Sequence, residues 1–160
     1  MNRIGQGFDV HRLTPGKVLR LGGVKIEYDR GPESHSDGDI LFHAVVNALL
    51  GAIGAGDIGL HFPDSDEAYR GIDSAKLVRE AMVMVRRQGF RVVNLDATVL
   101  AEAPKLTPYR SAMQERIAGL LDLAPDLVNV KFGTGESVGP VGRREAIEAH
   151  AVVLLAADER

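Results

Sequence analysis

The chain has 160 residues, 45% of them apolar, a formal net charge of −3 and no cysteine. That length supports one domain with a substantial core, and the interspersed charge of both signs leaves no nucleic-acid footprint and no polybasic membrane surface. The absence of cysteine excludes disulfides, thiolate catalysis and sulfur-ligated metal, so any metal here takes nitrogen and oxygen ligands.

No stretch approaches the roughly 18 apolar residues of a membrane span, and Met1 to Gly7 carries no apolar signal core. The expectation is a soluble, cytoplasmic protein with neither a membrane nor a nucleic acid as partner.

Residues 3–11 read as a strand whose period of two separates Ile4, Gln6, Phe8 and Val10 from Gly5, Gly7, Asp9 and His11. The second face offers room for a close neighbour and then two possible metal ligands pointing the same way. Taken alone, Asp9 and His11 read more readily as a strand-end ion pair, and it is the conjunction with His43 that favours a metal. Residues 18–28 form a hairpin around Gly22-Gly23, with Leu19, Leu21, Val24 and Ile26 as core candidates, and Asp29 to Glu33 form a turn.

Residues 34–66 place one apolar helix between two loops rich in carboxylate and histidine. From Asp39 to Leu50 the polar side chains are Asp39, His43 and Asn47, and a spacing of four puts them on one stripe. The other faces are apolar, so the helix is buried and its stripe needs a network, a ligand or a metal. Ser36 with Asp39 has the form of a capping box, and Gly51, Gly54 and Gly56 end the helix. Gly56 to Asp66 is then a long loop, a common address for binding residues.

Residues 73–88 read as an amphipathic helix with Leu77, Ala81, Met84 and Val85 inward. Residues 90–101 read as a strand with Val93, Leu95, Ala97 and Val99 on one face. Pro104 and Pro108 stiffen the loop that carries Lys105. A helix follows from Tyr109 to Leu121, with Met113, Ile117 and Leu120 or Leu121 inward, and then a strand from Val128 to Phe132. That strand enters Gly133-Thr134-Gly135, whose N–H groups and hydroxyl can cradle a phosphate, although such a turn is more often only a turn. Ala146 to Ala157 reads as a buried, centrally paired strand; periodicity also allows a short helix. These elements compose a single α/β domain over 1–160: a mixed sheet of about four main strands covered by helices on one side, plus a small hairpin.

Gly7-x-Asp9-x-His11, the run from His35 to Ala44 (H-S-D-G-D-x-x-x-H-A), Asp57 in G-D-I-G, Phe62-Pro63-Asp64, Ala103-Pro104-Lys105 and Gly142-Arg143-x-Glu145 occur in this order. With these motifs the chain resembles, end to end, the 2-C-methyl-D-erythritol 2,4-cyclodiphosphate synthase family. The resemblance implies a homotrimer of α/β subunits with active sites at subunit contacts. It implies conversion of 4-diphosphocytidyl-2-C-methyl-D-erythritol 2-phosphate to the cyclic diphosphate and CMP, in the non-mevalonate isoprenoid pathway. By position it makes Asp9, His11 and His43 the ligands of zinc or another divalent ion, and Glu136 the holder of a second ion, magnesium or manganese, with the diphosphate.

It further implies that His35 and Ser36 bind substrate, with His35 and Thr134 steadying the transition state. Asp57, with Ile58 and Gly59, would hold hydroxyls; Phe62, Pro63, Asp64, Ser65 and Asp66 would contact the methylerythritol part. The segment Ala101, Glu102, Ala103, Pro104, Lys105, Leu106 and Thr107 would form the cytidine pocket, joined by Gly133 and Gly135, and Arg143 is a further substrate-binding candidate. Asn47 stands where the family usually has Asp, Gly133 and Gly135 flank the retained Thr134, and Pro140, Arg144 and Ala146 depart near the trimer's central channel. Two rival readings use the same ligands: a metal-dependent phosphoesterase, and a non-catalytic trimeric metal-binding relative. His61 reads as a loop or packing histidine and His150 as a strand residue at the trimer contact.

Overall fold

A computed structural model describes residues 1–158. The chain forms β1 (Asn2–Pro15), a hairpin of β2 (Leu19–Leu21) and β3 (Val24–Ile26), β4 (Arg30–Pro32), and helices α1 (Ile40–Ala52), α2 (Ile58–His61) and α3 (Ser74–Arg87). It continues with β5 (Phe90–Leu100), α4 (Arg110–Leu121), β6 (Val128–Gly133), α5 (Gly139–Gly142) and β7 (Ala146–Ala157). The main sheet runs β4-β1-β7-β5-β6. The apolar C-terminal segment is thus its central strand, antiparallel to both β1 and β5. Among the described residues only β5 and β6 are parallel, joined through α4 as a parallel pair requires.

One face of the sheet carries the helices. Register places Gly5 opposite Val153, Gly7 opposite Ala151 and Asp9 opposite Ala149, so the small and apolar residues of both strands point the same way. Helix α1 lies directly on that surface. A Cβ added to Gly7 would sit 1.9 Å from the carbonyl oxygen of Ala44, and one on Gly5 1.9 Å from that of Ala48. Among the residues of α1 only Asn47 and Gly51 escape full burial, as its all-round apolar sequence requires. The opposite face is open: Ile4 is 72% exposed, and Phe8, Val10 and Val152 are exposed with it.

Several expectations are corrected. Residues 30–32 are a short edge strand rather than part of a turn, because β1 runs on past His11 to Pro15 and offers them a partner. Ser36 and Asp39 form no capping box. Asp39 itself caps α1, accepting from Phe42 N–H at 3.1 Å, after a turn in which Gly38 has φ of +76°. The long loop contains α2 and leads into a 3-10 turn at Glu67–Tyr69. A bulge between Val92 and Asn94 moves Val93 off the core face, so Val92 joins Leu95, Ala97 and Val99 there. In α3 Val78 and Met82 join Leu77, Ala81 and Val85 on the buried face, with Met84 half-buried against the core.

Candidate metal centre and divided substrate cleft

The glycines of β1 bring α1 against the strand, and the next two residues on that face, Asp9 and His11, rise beside the first turn of α1. There they meet His43. Its Nδ1 lies 2.9 Å from Asp9 Oδ2, and His11 Nδ1 lies 3.1 Å from the same oxygen. Potential ligand atoms of the three residues all fall within 4.8 Å of one another. His11 Nδ1 is buried and, despite that short approach, makes no properly directed hydrogen bond. A buried nitrogen facing a carboxylate and a second imidazole fits a cation between them.

The electrostatics agree. Burial works to raise the Asp9 carboxyl, but the adjoining imidazoles of His11 and His43 outweigh it and hold the group below its ordinary value. For His11 burial works downward, and the Asp9 carboxylate outweighs it and holds the imidazole above its ordinary value. The site therefore keeps its carboxylate ionised.

The triad opens into a cavity of about 280 Å³ also lined by His35, Ser36 and Asp64. Ile58, Gly59, Phe62 and Pro63 also line it, with Tyr69, Ile72 and Leu77 as lining residues the sequence reading did not name. Asp57, Ser65 and Asp66 do not line it. The Asp57 carboxylate caps α2 at Leu60 N–H (3.0 Å), and that of Asp66 accepts from Ala68 N–H (2.9 Å) while its carbonyl lies 3.3 Å from His35 Nε2.

The other predicted residues gather elsewhere. Ala101 to Thr107 line a second cavity of about 320 Å³ together with Phe132, Gly133 and Thr134. Glu102 turns its carboxylate to Gly135 N–H at 3.0 Å, so one donor of the Gly-Thr-Gly turn is already engaged. Thr134 Oγ1 accepts from Glu136 N–H at 3.3 Å, and Glu136 adopts a left-handed φ of +50°. Arg143 forms a two-pronged exposed pair with Glu145 and lines neither cavity. Within one chain, His35 and Thr134 thus belong to separate cavities.

The stripe on α1 also divides. Asp39 reaches Gly22 and Gly23 N–H of the hairpin at 2.9 and 2.7 Å, whereas Asn47 accepts from Ile58 N–H at 2.9 Å and holds the start of α2. His61 Nε2 donates to the Ala55 carbonyl (2.7 Å), in keeping with a packing histidine.

Fold and site together define a one-sided α/β sandwich with a histidine and carboxylate triad able to hold a divalent cation. The chain belongs to the YgbB family, whose profile matches residues 2–156. It is 55% identical over 159 residues to the 2-C-methyl-D-erythritol 2,4-cyclodiphosphate synthase of Alkalilimnicola ehrlichii, covering 99% of this chain and 97% of that one. Among solved structures it resembles the bifunctional IspDF of Campylobacter jejuni (TM-score 0.94, 41% identity), covering 98% of this chain and 42% of that longer one. It also resembles the IspF of Plasmodium falciparum in complex with CDP (TM-score 0.87, 36% identity), covering 99% and 97% of the two chains.

Proposed function

We infer that this chain converts 4-diphosphocytidyl-2-C-methyl-D-erythritol 2-phosphate to 2-C-methyl-D-erythritol 2,4-cyclodiphosphate with release of CMP, as a phosphorus-oxygen lyase of isoprenoid biosynthesis. The observation that carries this reading is the convergence of Asp9, His11 and His43 in a chain matched nearly end to end by synthases of that name. The substrate supplies its own nucleophile. A monophosphate has its second pKa near 6, so an oxygen of the 2-phosphate attacks the β-phosphorus without a protein base. That P–O bond forms as the one to CMP breaks, and CMP leaves as the phosphate.

The protein's task is alignment and charge. Asp9, His11 and His43 would hold zinc, or another divalent ion, with one position open, and such an ion supplies positive charge to phosphate oxygens. His35 and Ser36 sit beside the triad to bind phosphate; Ile58, Gly59 and Phe62 to Asp64 enclose the methylerythritol part, and Asp57, Ser65 and Asp66 flank that wall. The second cavity, from Ala101 to Thr107 with Gly133 to Gly135, fits a cytidine moiety with Lys105 near its phosphates. Glu136 would hold magnesium or manganese on the diphosphate, and Arg143 is an outlying substrate contact. Correct alignment in an intramolecular transfer is worth about 7–11 kcal/mol.

The division of His35 from Thr134 supports a homotrimer in which one subunit's triad cleft meets its neighbour's cytidine pocket. The open apolar sheet face around Ile4, Phe8 and Val152, with His150 beside Phe8, supports the same assembly. Both substrate and product are water-soluble phosphates, and no helix among the described residues is long and apolar enough to cross a membrane, which suits a cytoplasmic site of action. Incubation with substrate and magnesium, followed by phosphorus NMR, tests the reading. The cyclic diphosphate should appear in step with CMP and vanish on chelation. An uncyclised monophosphate product would mean a phosphoesterase, and a metal-loaded oligomer without turnover a non-catalytic relative.

A further inference from the structure

Behind the triad, on the side of His43 away from Asp9, lies a polar pair that the proposed reaction does not use. Ser74, at the start of α3, is fully buried. Its Oγ lies 3.0 Å from His43 Nε2 and donates to Asp37 Oδ1 at 2.5 Å. Asp37 is itself fixed, since Oδ2 accepts from Ser74 N–H and Oδ1 from Asp39 N–H, each at 3.1 Å. Its charge also sits at the N-terminal end of α3, where the helix dipole favours it.

Proton counting gives this chain of contacts a direction. A serine hydroxyl has one proton, and that of Ser74 is committed to a carboxylate that can only accept. Towards His43, therefore, Ser74 Oγ can only accept, which requires the proton on Nε2. Nδ1 then presents its lone pair to the space shared with Asp9 and His11. Ser36 Oγ is also 3.0 Å from His43 Nε2 and accepts from Gly38 N–H at 3.2 Å. Among the described residues its own proton has no carboxylate partner, and Ser34 Oγ lies at 3.2 Å, so Ser36 allows either tautomer.

We propose that Asp37 and Ser74 are positioning residues that fix His43 with its proton on Nε2 and so keep Nδ1 as a metal-binding lone pair. The proposal rests on the metal reading of the triad. Its physical basis is general: the hydrogen bond made by one ring nitrogen sets which nitrogen can bind metal, and a carboxylate at the end of that bond strengthens the ligand. Here the carboxylate acts through an intervening hydroxyl.

The test uses the full chain stripped of metal and titrated with Co2+ against a chromophoric chelator. The parent should bind Co2+ with the visible bands of a low-coordinate site. Ser74→Ala and Asp37→Asn should each bind about ten- to a hundredfold more weakly, and Ser74→Thr, which keeps the hydroxyl, should recover the affinity. In the zinc-loaded, nitrogen-15-labelled protein, the His43 Nε2–H proton should resonate downfield and move in Ser74→Ala and Asp37→Asn. Urea unfolding in chelator reads fold stability separately, and Asp37→Asn, close to isosteric, serves if Ser74→Ala fails to fold. Folded variants that bind Co2+ as tightly as the parent, with an unmoved His43 proton, would overturn the proposal. A parent chain with no affinity for Co2+ would instead overturn the metal reading, and this inference with it.

Discussion

His43 has neighbours on both ring nitrogens, Asp9 at Nδ1 and two serines at Nε2, so no substitution can keep all of its contacts. His43→Ala should therefore lose zinc on gel filtration and abolish CMP release, checked by metal content and a coupled turnover assay. The Asp9 and His11 pair adds a pH signature to the metal-free chain. Asp9 is held low because the two imidazoles outweigh burial, and a depressed carboxyl contributes stability that is present above its unfolded pKa of about 4 and lost as pH falls through the folded value. His11 is held high because Asp9 outweighs burial, so its contribution is complete below about pH 6.5 and lost as pH rises through the folded value. In excess chelator the midpoint of thermal unfolding should fall as pH rises above about 6.5, and His11→Asn should remove that fall. With zinc bound the trend should reverse, because the metal replaces the proton. Asp9, His11 and His43 were legible in the sequence because period two and period four place them on defined faces. The partnership of His43 with Ser74 was not, since a contact across 31 residues between two separate helices leaves no local spacing to read.

At the scale of elements, the site depends on how closely α1 approaches β1. Gly7 makes that approach possible, and alanine there would put its Cβ far inside contact distance of the α1 backbone, which a side-chain rotation cannot relieve. Gly7→Ala should destabilise the chain by about 1–3 kcal/mol or more, read from denaturant unfolding. It should also weaken metal binding by lifting His43 away from Asp9. The sequence showed the two glycines and the room they leave, but not which element fills it. It also placed Asp39 on the stripe facing His43, whereas the observed cap turns its carboxylate to the hairpin; burial pushes that carboxyl up against the pull of three N–H donors. The error in β5 has the same origin. Alternation predicts the core face only until a bulge resets it, and nothing in Val92-Val93-Asn94 marks which residue steps out.

For the whole molecule, the chain keeps its metal triad and its nucleotide-sized pocket in separate cavities, so the proposed trimer has a consequence that a one-chain site does not share. His43→Ala damages the first half-site and leaves the second intact; Thr134→Ala does the reverse. If each active site joins the triad of one subunit to the pocket of the next, a trimer mixed from the two inactive variants contains some contacts where both halves are intact. With equal mixing and random assembly about a quarter of the sites qualify, because each half is independently intact half of the time. Co-expressed variants should therefore recover about a quarter of the parent's CMP release per site, while each alone stays near zero. A site completed within one chain would recover nothing, since every chain in the mixture carries a lesion. The apolar face supplies the control: Ile4→Glu places a charge on the open side of β1, away from α1 and the triad. It should give monomers on sedimentation that retain Co2+ binding yet release no CMP, and complementation by such monomers should fail because no neighbour is there to supply the missing half.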